Sequence, residues 1–288
     1  MYILMFLYIY TWNILNPLPY ISKMSWKKLT TNSANIAEID YKRYFIYRSN
    51  IILKIIQYWL FRKKYPTIIC LQEIPKDLLD QLLVLYSSNN ISYSSDIKKN
   101  DYRVTIVNNC EIIKTKNILI NNYKNILLTT IKVDNTKIYE CANVHFHWSW
   151  KLDDLDNAAI LLKDNLDESL PFIIVGDFNK PIELLESFMN QFDCVQFNKI
   201  NNKYTSHLTH LDETNKLGII DHILLSSEFN TDKNTKLKIL SKILKYKIFY
   251  NFQKILKFKK LTPEIWIKER KNKDISDHKP VRLKILLI

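Results

Sequence analysis

Only two glycines occur in 288 residues, and Gly176 is one of them. It follows the apolar run Phe172-Ile173-Ile174-Val175 and opens the tetrapeptide Gly-Asp-Phe-Asn at 176–179. A chain this poor in glycine keeps one where the backbone needs a geometry or a close approach that a Cβ would block. The run therefore predicts a buried strand, and the tetrapeptide the turn that leaves it. Pro181, followed by Leu184, Leu185, Phe188, Met189 and Phe192, predicts a helix with one apolar stripe behind the turn. Asp177 and Asn179 then stand at the exit of a core strand, rigidly held and within reach of solvent. Taken alone this is an ordinary turn, because Asp and Asn side chains satisfy local backbone groups. Its meaning depends on the other strand ends.

Those ends repeat the pattern. The N-terminal apolar run from Tyr2 to Tyr10 reads as a strand reaching Trp12 and Asn13. Between Tyr44 and Lys64, Ile51, Ile52, Ile55, Ile56, Trp59 and Leu60 recur at helical spacing. Pro66 stops that helix, and Thr67 to Leu71 forms a second core strand that delivers Gln72 and Glu73. Pro75 opens a helix carrying Leu78, Leu79, Leu82 and Leu83. Tyr102 to Val107 and Ile126 to Val133 read as strands joined through Asn- and Lys-rich turns. Ile138 to Val144 ends at His145, and Asp153 or Asp154 can cap the next helix, built on Leu155, Ala158, Ala159, Leu162 and Leu166. Leu217 to Leu225 is a strand interrupted by Asp221 and His222, and Asp277-His278 precedes a closing strand from Val281 to Leu287. Strand and helix alternate without a repeat or a linker, which predicts an α/β protein in one domain over 1–288.

Composition narrows the class. Hydrophobic residues at 47% and charged residues at 25% are globular values. Forty-two Lys and Arg against 29 Asp and Glu give a net charge of +13, which favours polyanionic partners. Cys70, Cys110, Cys141 and Cys194 form no CxxC pair, which argues for a reducing compartment and against structural zinc. The apolar N-terminus lacks a basic flank and a small-residue cleavage site and is too short to span a bilayer, so an intracellular chain is expected, cytoplasmic rather than nuclear.

Asn13, Glu73, His145, Asp177 with Asn179, Asp221, and Asp277 with His278 all lie on apolar strands or at their ends. Residues at strand ends converge on one edge of a layered sheet, so these groups can share a cleft. Carboxylates brought together repel unless protons or a cation compensate, and hard oxygen ligands favour Mg²⁺ or Mn²⁺. Asp221, inside an apolar strand, needs a partner, which His222 or His278 could supply.

In order, Thr-Trp-Asn (11–13), Leu-Gln-Glu (71–73), Asn-Val-His (143–145), Gly-Asp-Phe-Asn (176–179), Ile-Asp-His-Ile-Leu (220–224) and Ser-Asp-His (276–278) resemble the motif set of the endonuclease/exonuclease/phosphatase superfamily. The resemblance runs from the first strand to the last. It implies a four-layer α/β sandwich, two mixed β-sheets flanked by helices, and metal-dependent phosphoester hydrolysis. By position it makes Glu73 the Mg²⁺ ligand (Mn²⁺ also fitting), with Asn13 and Asp277 in support. Asp177 would activate water, Asn179 would hold that water or the phosphate, and His145 would stabilise the transition state. His278, polarised by Asp221, would contact the scissile phosphate. Asn143, Trp148 and Arg103 are the candidate substrate contacts.

Tyr44 to Arg48 and His147-Trp148 are most similar to the carbon-catabolite-repressor and nocturnin-like branch. That likeness makes a 3′-5′ exoribonuclease of the deadenylase kind the leading expectation, with RNA favoured over DNA as partner. A DNA repair endonuclease or tyrosyl-DNA phosphodiesterase, a phosphoinositide phosphatase or sphingomyelinase, and a non-catalytic nucleic-acid-binding module are the alternatives. The lysine-rich insertion at about 231–273 carries Tyr246, Phe249, Tyr250, Phe252 and Phe258 among its lysines. Its lysines suit a phosphate-tracking surface, while its rings equally suit a core-facing stripe.

Overall fold

The computed structural model describes residues 5–14, 49–60, 64–94, 101–121, 124–192, 194–196, 206–207, 217–218, 220–226, 229, 236–239 and 280–287. In chain order its strands are β1 (Met5–Asn13), β2 (Thr67–Ile74), β3 (Ile91–Tyr93), β4 (Tyr102–Asn108), β5 (Glu111–Asn121), β6 (Lys124–Lys132), β7 (Ile138–His145), β8 (Phe172–Asp177), β9 (Cys194–Gln196), β10 (Ser206–His207), β11 (Leu217–Gly218), β12 (Asp221–Ser226), β13 (Lys236–Ile239) and β14 (Val281–Leu287). Helical segments are α1 (residues 49–60), α2 (Lys76–Leu85), α3 (Leu152–Lys163) and the single turn α4 (Glu186–Asn190), which follows a 3-10 turn at Ile182–Leu184.

Two six-stranded mixed sheets result, ordered β13-β14-β1-β2-β4-β3 and β5-β6-β7-β8-β12-β9. Each holds one parallel pair, β1 with β2 and β7 with β8, and every other pairing in them is antiparallel. A parallel pair needs a crossover, and α1 and α3 lie in the two crossovers. Ile52, Ile56, Trp59 and Leu60 of α1 and Leu78, Leu79 and Leu82 of α2 pack on the outer face of the first sheet. Leu155, Ala158, Ala159 and Leu162 of α3 cover the outer face of the second. Between the sheets lies a third core built from Ile9, Ile68, Cys70, Cys141, Ile173, Val175, Ile223 and Leu283. The architecture is thus the expected four-layer α/β sandwich.

Strand alternation makes the interior layer change character along its length. Positions two apart share a face. Leu7 and Ile9 lead to Thr11 and Asn13, Ile68 and Cys70 lead to Gln72, Cys141 leads to Asn143 and His145, and Ile173 and Val175 lead to Asp177. The antiparallel strands add Arg103 at the start of β4 and Asp221 at the start of β12. One end of the inter-sheet layer is therefore polar, and it coincides with the C-terminal ends of both parallel pairs.

Gly176 has the geometry its scarcity suggested. Its φ is +146°, and a Cβ there would stand 2.0 Å from the Val144 carbonyl oxygen. The parallel neighbour β7 could not approach β8 at this point with any other residue.

Several expectations are corrected. The Asn- and Lys-rich connection after β4 contains β5, an eleven-residue edge strand whose side chains are mostly exposed and so carry no apolar alternation. The strand expected over Leu217–Leu225 is two, β11 and β12, which belong to different sheets because Asp221 begins the second rather than interrupting one. The helix expected behind the Gly-Asp-Phe-Asn turn is only the 3-10 turn and α4. Asp154 caps α3 by accepting from the Lys151 amide at 2.8 Å. Residues 22–40, Tyr44 to Arg48, Asp277, His278 and all of the basic segment except β13 lie outside the described residues. Among the described residues, no helix is long and apolar enough to cross a membrane.

Candidate active site

Register brings the site together. In the first sheet Asn13 is paired with Gln72, so Glu73 lies one residue beyond it. In the second, Asp177 is flanked by His145 on β7 and Asp221 on β12. The two sheets meet through Asn13. Its Nδ2 donates to Glu73 Oε1 and to Asp177 Oδ2, both at 2.9 Å. A buried amide bridging two carboxylates fixes their spacing and offsets part of their repulsion.

The backbone at two of these positions is unusual. Glu73 has φ +55° at a bulge where the β2 and β4 register shifts between Leu71 and Ile74. The bulge turns the Glu73 carboxylate toward Asn13, and its side chain keeps 19% exposure. Asn179 has φ +52°. Its amide donates to Asp177 Oδ1 at 2.7 Å, and its Nδ2 donates to the Phe146 carbonyl at 2.8 Å. Left-handed backbone at non-glycine residues is held by its surroundings, and it concentrates where side chains must be aimed.

His145 stands among three carboxylates. Its Nε2 is 3.5 Å from Glu73 Oε1 and 3.9 Å from Asp177 Oδ2, and its Nδ1 is 3.2 Å from Asp101 Oδ2. Lys124 Nζ lies 3.2 Å from both Asp101 Oδ2 and His145 Nδ1. Burial alone would raise Asp101. The charges of His145 and Lys124, with Arg103 behind them, outweigh it and hold the carboxyl well below the usual carboxylate range. Sequence reasoning missed Asp101 and Lys124. One sits in a polar connection and the other is one lysine among many, so neither interrupts an apolar run.

Two candidate substrate contacts are placed otherwise. Asn143 is fully buried between the sheets, where its Nδ2 donates to the Leu71 and Val104 carbonyls and its Oδ1 accepts from Gln72 Nε2 at 2.8 Å. It ties the sheets together behind the site. Arg103 is also fully buried, donating to Asn125 Oδ1 at 2.6 Å and to the His145 carbonyl at 3.4 Å, so it supports His145 from the rear. Trp148, by contrast, is 57% exposed on the turn just beyond His145, and its carbonyl accepts from Lys180 Nζ at 2.8 Å. His222 is not on the same face as Asp221. Alternation turns it to the helix side, where Nε2 meets the Lys180 carbonyl at 2.8 Å.

The donor set suits a hard cation. Among the described residues no three His, Cys, Asp or Glu side chains form a metal-holding group. Mg²⁺ commonly takes one or two carboxylates and completes its shell with water, and the partly exposed Glu73 carboxylate beside Asn13 fits that demand.

No known family model matches the sequence, and no curated protein matches it. Solved structures do. An endonuclease/exonuclease/phosphatase family protein from Bacteroides thetaiotaomicron superposes over 100% of both chains with a TM-score of 0.60 at 15% identity. TDP2 from Caenorhabditis elegans matches 98% of this chain and 74% of its own, with a TM-score of 0.62 at 14% identity. TDP2 from D. rerio, complexed with single strand DNA product, matches over 97% of this chain and 98% of its own, with a TM-score of 0.58 at 10% identity.

Proposed function

From a chain that carries the endonuclease/exonuclease/phosphatase fold, we propose a divalent-metal-dependent phosphodiesterase that hydrolyses nucleic acid. The observation that carries this reading is the Asn13 bridge. A single amide joins Glu73 of one sheet to Asp177 of the other, with His145 over both. Phosphoryl transfer needs charge neutralisation and in-line positioning more than covalent chemistry, and these side chains offer both.

Bound Mg²⁺ or Mn²⁺ supplies neutralising charge at a phosphoryl oxygen. Glu73 and Asn13 are the residues that would hold it, with Asp277 as a third. Asp177 accepts a hydrogen bond on each oxygen, from Asn179 and from Asn13, so its carboxylate is fixed in orientation while it takes the proton of the attacking water. Asp101, an acceptor only when ionised, accepts from His145 Nδ1, and when the ring carries both protons Nε2 is left to donate to an anionic phosphate oxygen in the cleft. His278, supported by Asp221, is the second imidazole of this scheme. Trp148 offers an exposed indole face to a base beside the scissile phosphate.

The favoured substrate is a single strand, RNA from its 3′ end, in keeping with the net charge of +13. A DNA end is the second reading, supported by the fold neighbour captured with single strand DNA product. The test is cleavage of end-labelled poly(A) RNA, single-stranded DNA, abasic duplex and a tyrosyl-DNA end, with Mg²⁺ or EDTA, by the native chain and Asp177→Ala. Loss of the base should lower kcat by on the order of 10²-fold or more. A ladder from the RNA 3′ end supports the first reading and release of tyrosine the second. EDTA-resistant cleavage, or an Asp177→Ala variant as active as the native chain, would overturn both.

A further inference from the structure

His222 is fully buried, and the phosphodiesterase scheme assigns it nothing. It lies on β12 beside Gly176 of β8, and alternation turns its ring away from Asp221 to the rear of the Gly-Asp-Phe-Asn turn. There it contacts that turn twice. Nε2 lies 2.8 Å from the Lys180 carbonyl oxygen, and the ring packs edge-on against Phe178 with centroids 5.4 Å apart. A carbonyl only accepts, so Nε2 must carry the proton. Two residues earlier, just before β12 begins, the Ile220 carbonyl accepts from the Phe178 amide at 2.9 Å.

The start of β12 therefore grips the turn on both sides of Asn179, the residue at φ +52° whose amide reaches Asp177 Oδ1. Left-handed backbone carries a modest cost even at asparagine, so contacts on its flanks add to the bonds Asn179 makes itself in holding it there. We propose that His222 is a positioning residue, which by donating to the Lys180 carbonyl locks the 178–180 turn and so keeps the Asn179 amide on Asp177. The assignment rests on the reading of Asp177 as the base. Burial pushes the imidazole down to about 4, against the raising pull of the Lys180 carbonyl and of the Asp177 and Glu183 charges, so the ring is neutral when it donates at physiological pH.

The experiment compares His222→Phe, which keeps the ring volume without the donor, with His222→Gln, which keeps an amide donor near Nε2. Two quantities are read in each folded variant: steady-state kcat and KM on bis(p-nitrophenyl) phosphate with Mg²⁺, and amide hydrogen exchange at 178–180. The Phe variant should lose kcat by on the order of 10²-fold with KM little changed, and exchange faster at Asn179. The Gln variant should recover most of both. If the Phe variant does not fold, His222→Asn, whose amide is too short to reach the carbonyl, replaces it. Unchanged exchange at Asn179 in the donor-less variant overturns the proposal, as does a Gln variant no better than Phe. Altered exchange with no turnover by the native chain on any phosphodiester instead upholds the lock and removes the phosphodiesterase reading, so the two failures are told apart.

Discussion

At the scale of single residues, buried polar groups decide how the chain answers to its surroundings. His222 titrates near 6.5 when unfolded and is held down to about 4 when folded. A group whose pKa is depressed by folding contributes its stability fully above the unfolded value. That contribution declines as pH falls from 6.5 toward 4, because the unfolded chain then binds a proton that the folded one refuses. The loss amounts to about 3 kcal/mol at its low-pH end. Urea unfolding between neutral pH and about pH 4 should show it, and His222→Gln should flatten the profile across that window. Asp101 acts lower on the same scale, since its ion pairs hold its carboxyl below the ordinary carboxylate value. Its contribution is present above that ordinary value and is lost as pH falls through the depressed one.

At the scale of elements, the two sheets are joined by a polar seam as well as by an apolar layer. Thr11, Gln72 and Asn143 form a buried chain of hydrogen bonds from β1 through β2 to β7, and Asn143 extends it to the backbone of β4. Asn143→Ala removes one partner each from two buried carbonyls and from the Gln72 amide, which keeps its bond to Thr11, so a loss of about 3 kcal/mol is expected in urea unfolding. The folded fraction should keep the native KM. A stable variant with a raised KM would return Asn143 to the role of substrate contact that its motif suggested. The seam also shows what a sequence can carry. Asn13, Glu73, His145, Asp177 and Asp221 stood out because each breaks or ends an apolar run; the period of two sets a common face for all but Glu73, which the β2 bulge turns in. Asp101, Lys124 and the inward turn of Arg103 depend on which strand of one sheet lies over which strand of the other. No single strand encodes that. The edge strand β5 escaped for a related reason, since both its faces are largely wet and its side chains need not alternate.

At the scale of the whole molecule, the site belongs to neither sheet. Each sheet supplies the C-terminal ends of one parallel pair, and ligands favour that edge in sheets of this kind. The second sheet is drawn from the compact stretch between β5 and β12, whereas the first is assembled from strands at both extremes of the sequence. β1 finds a partner in β14, the strand most distant from it along the chain, with Met5 opposite Leu287. During synthesis the second sheet can form early, while β1 keeps one unpaired edge until residues 281–287 leave the ribosome. Chains stalled before residue 281 are accordingly expected to show a protease-resistant core over 124–192 and a protease-sensitive β1 on pulse proteolysis, and chains stalled well after residue 287 should protect both. A cleft assembled from strands so far apart in sequence leaves the nascent chain with an adhesive strand exposed, so shielding that strand during synthesis favours the yield of folded protein.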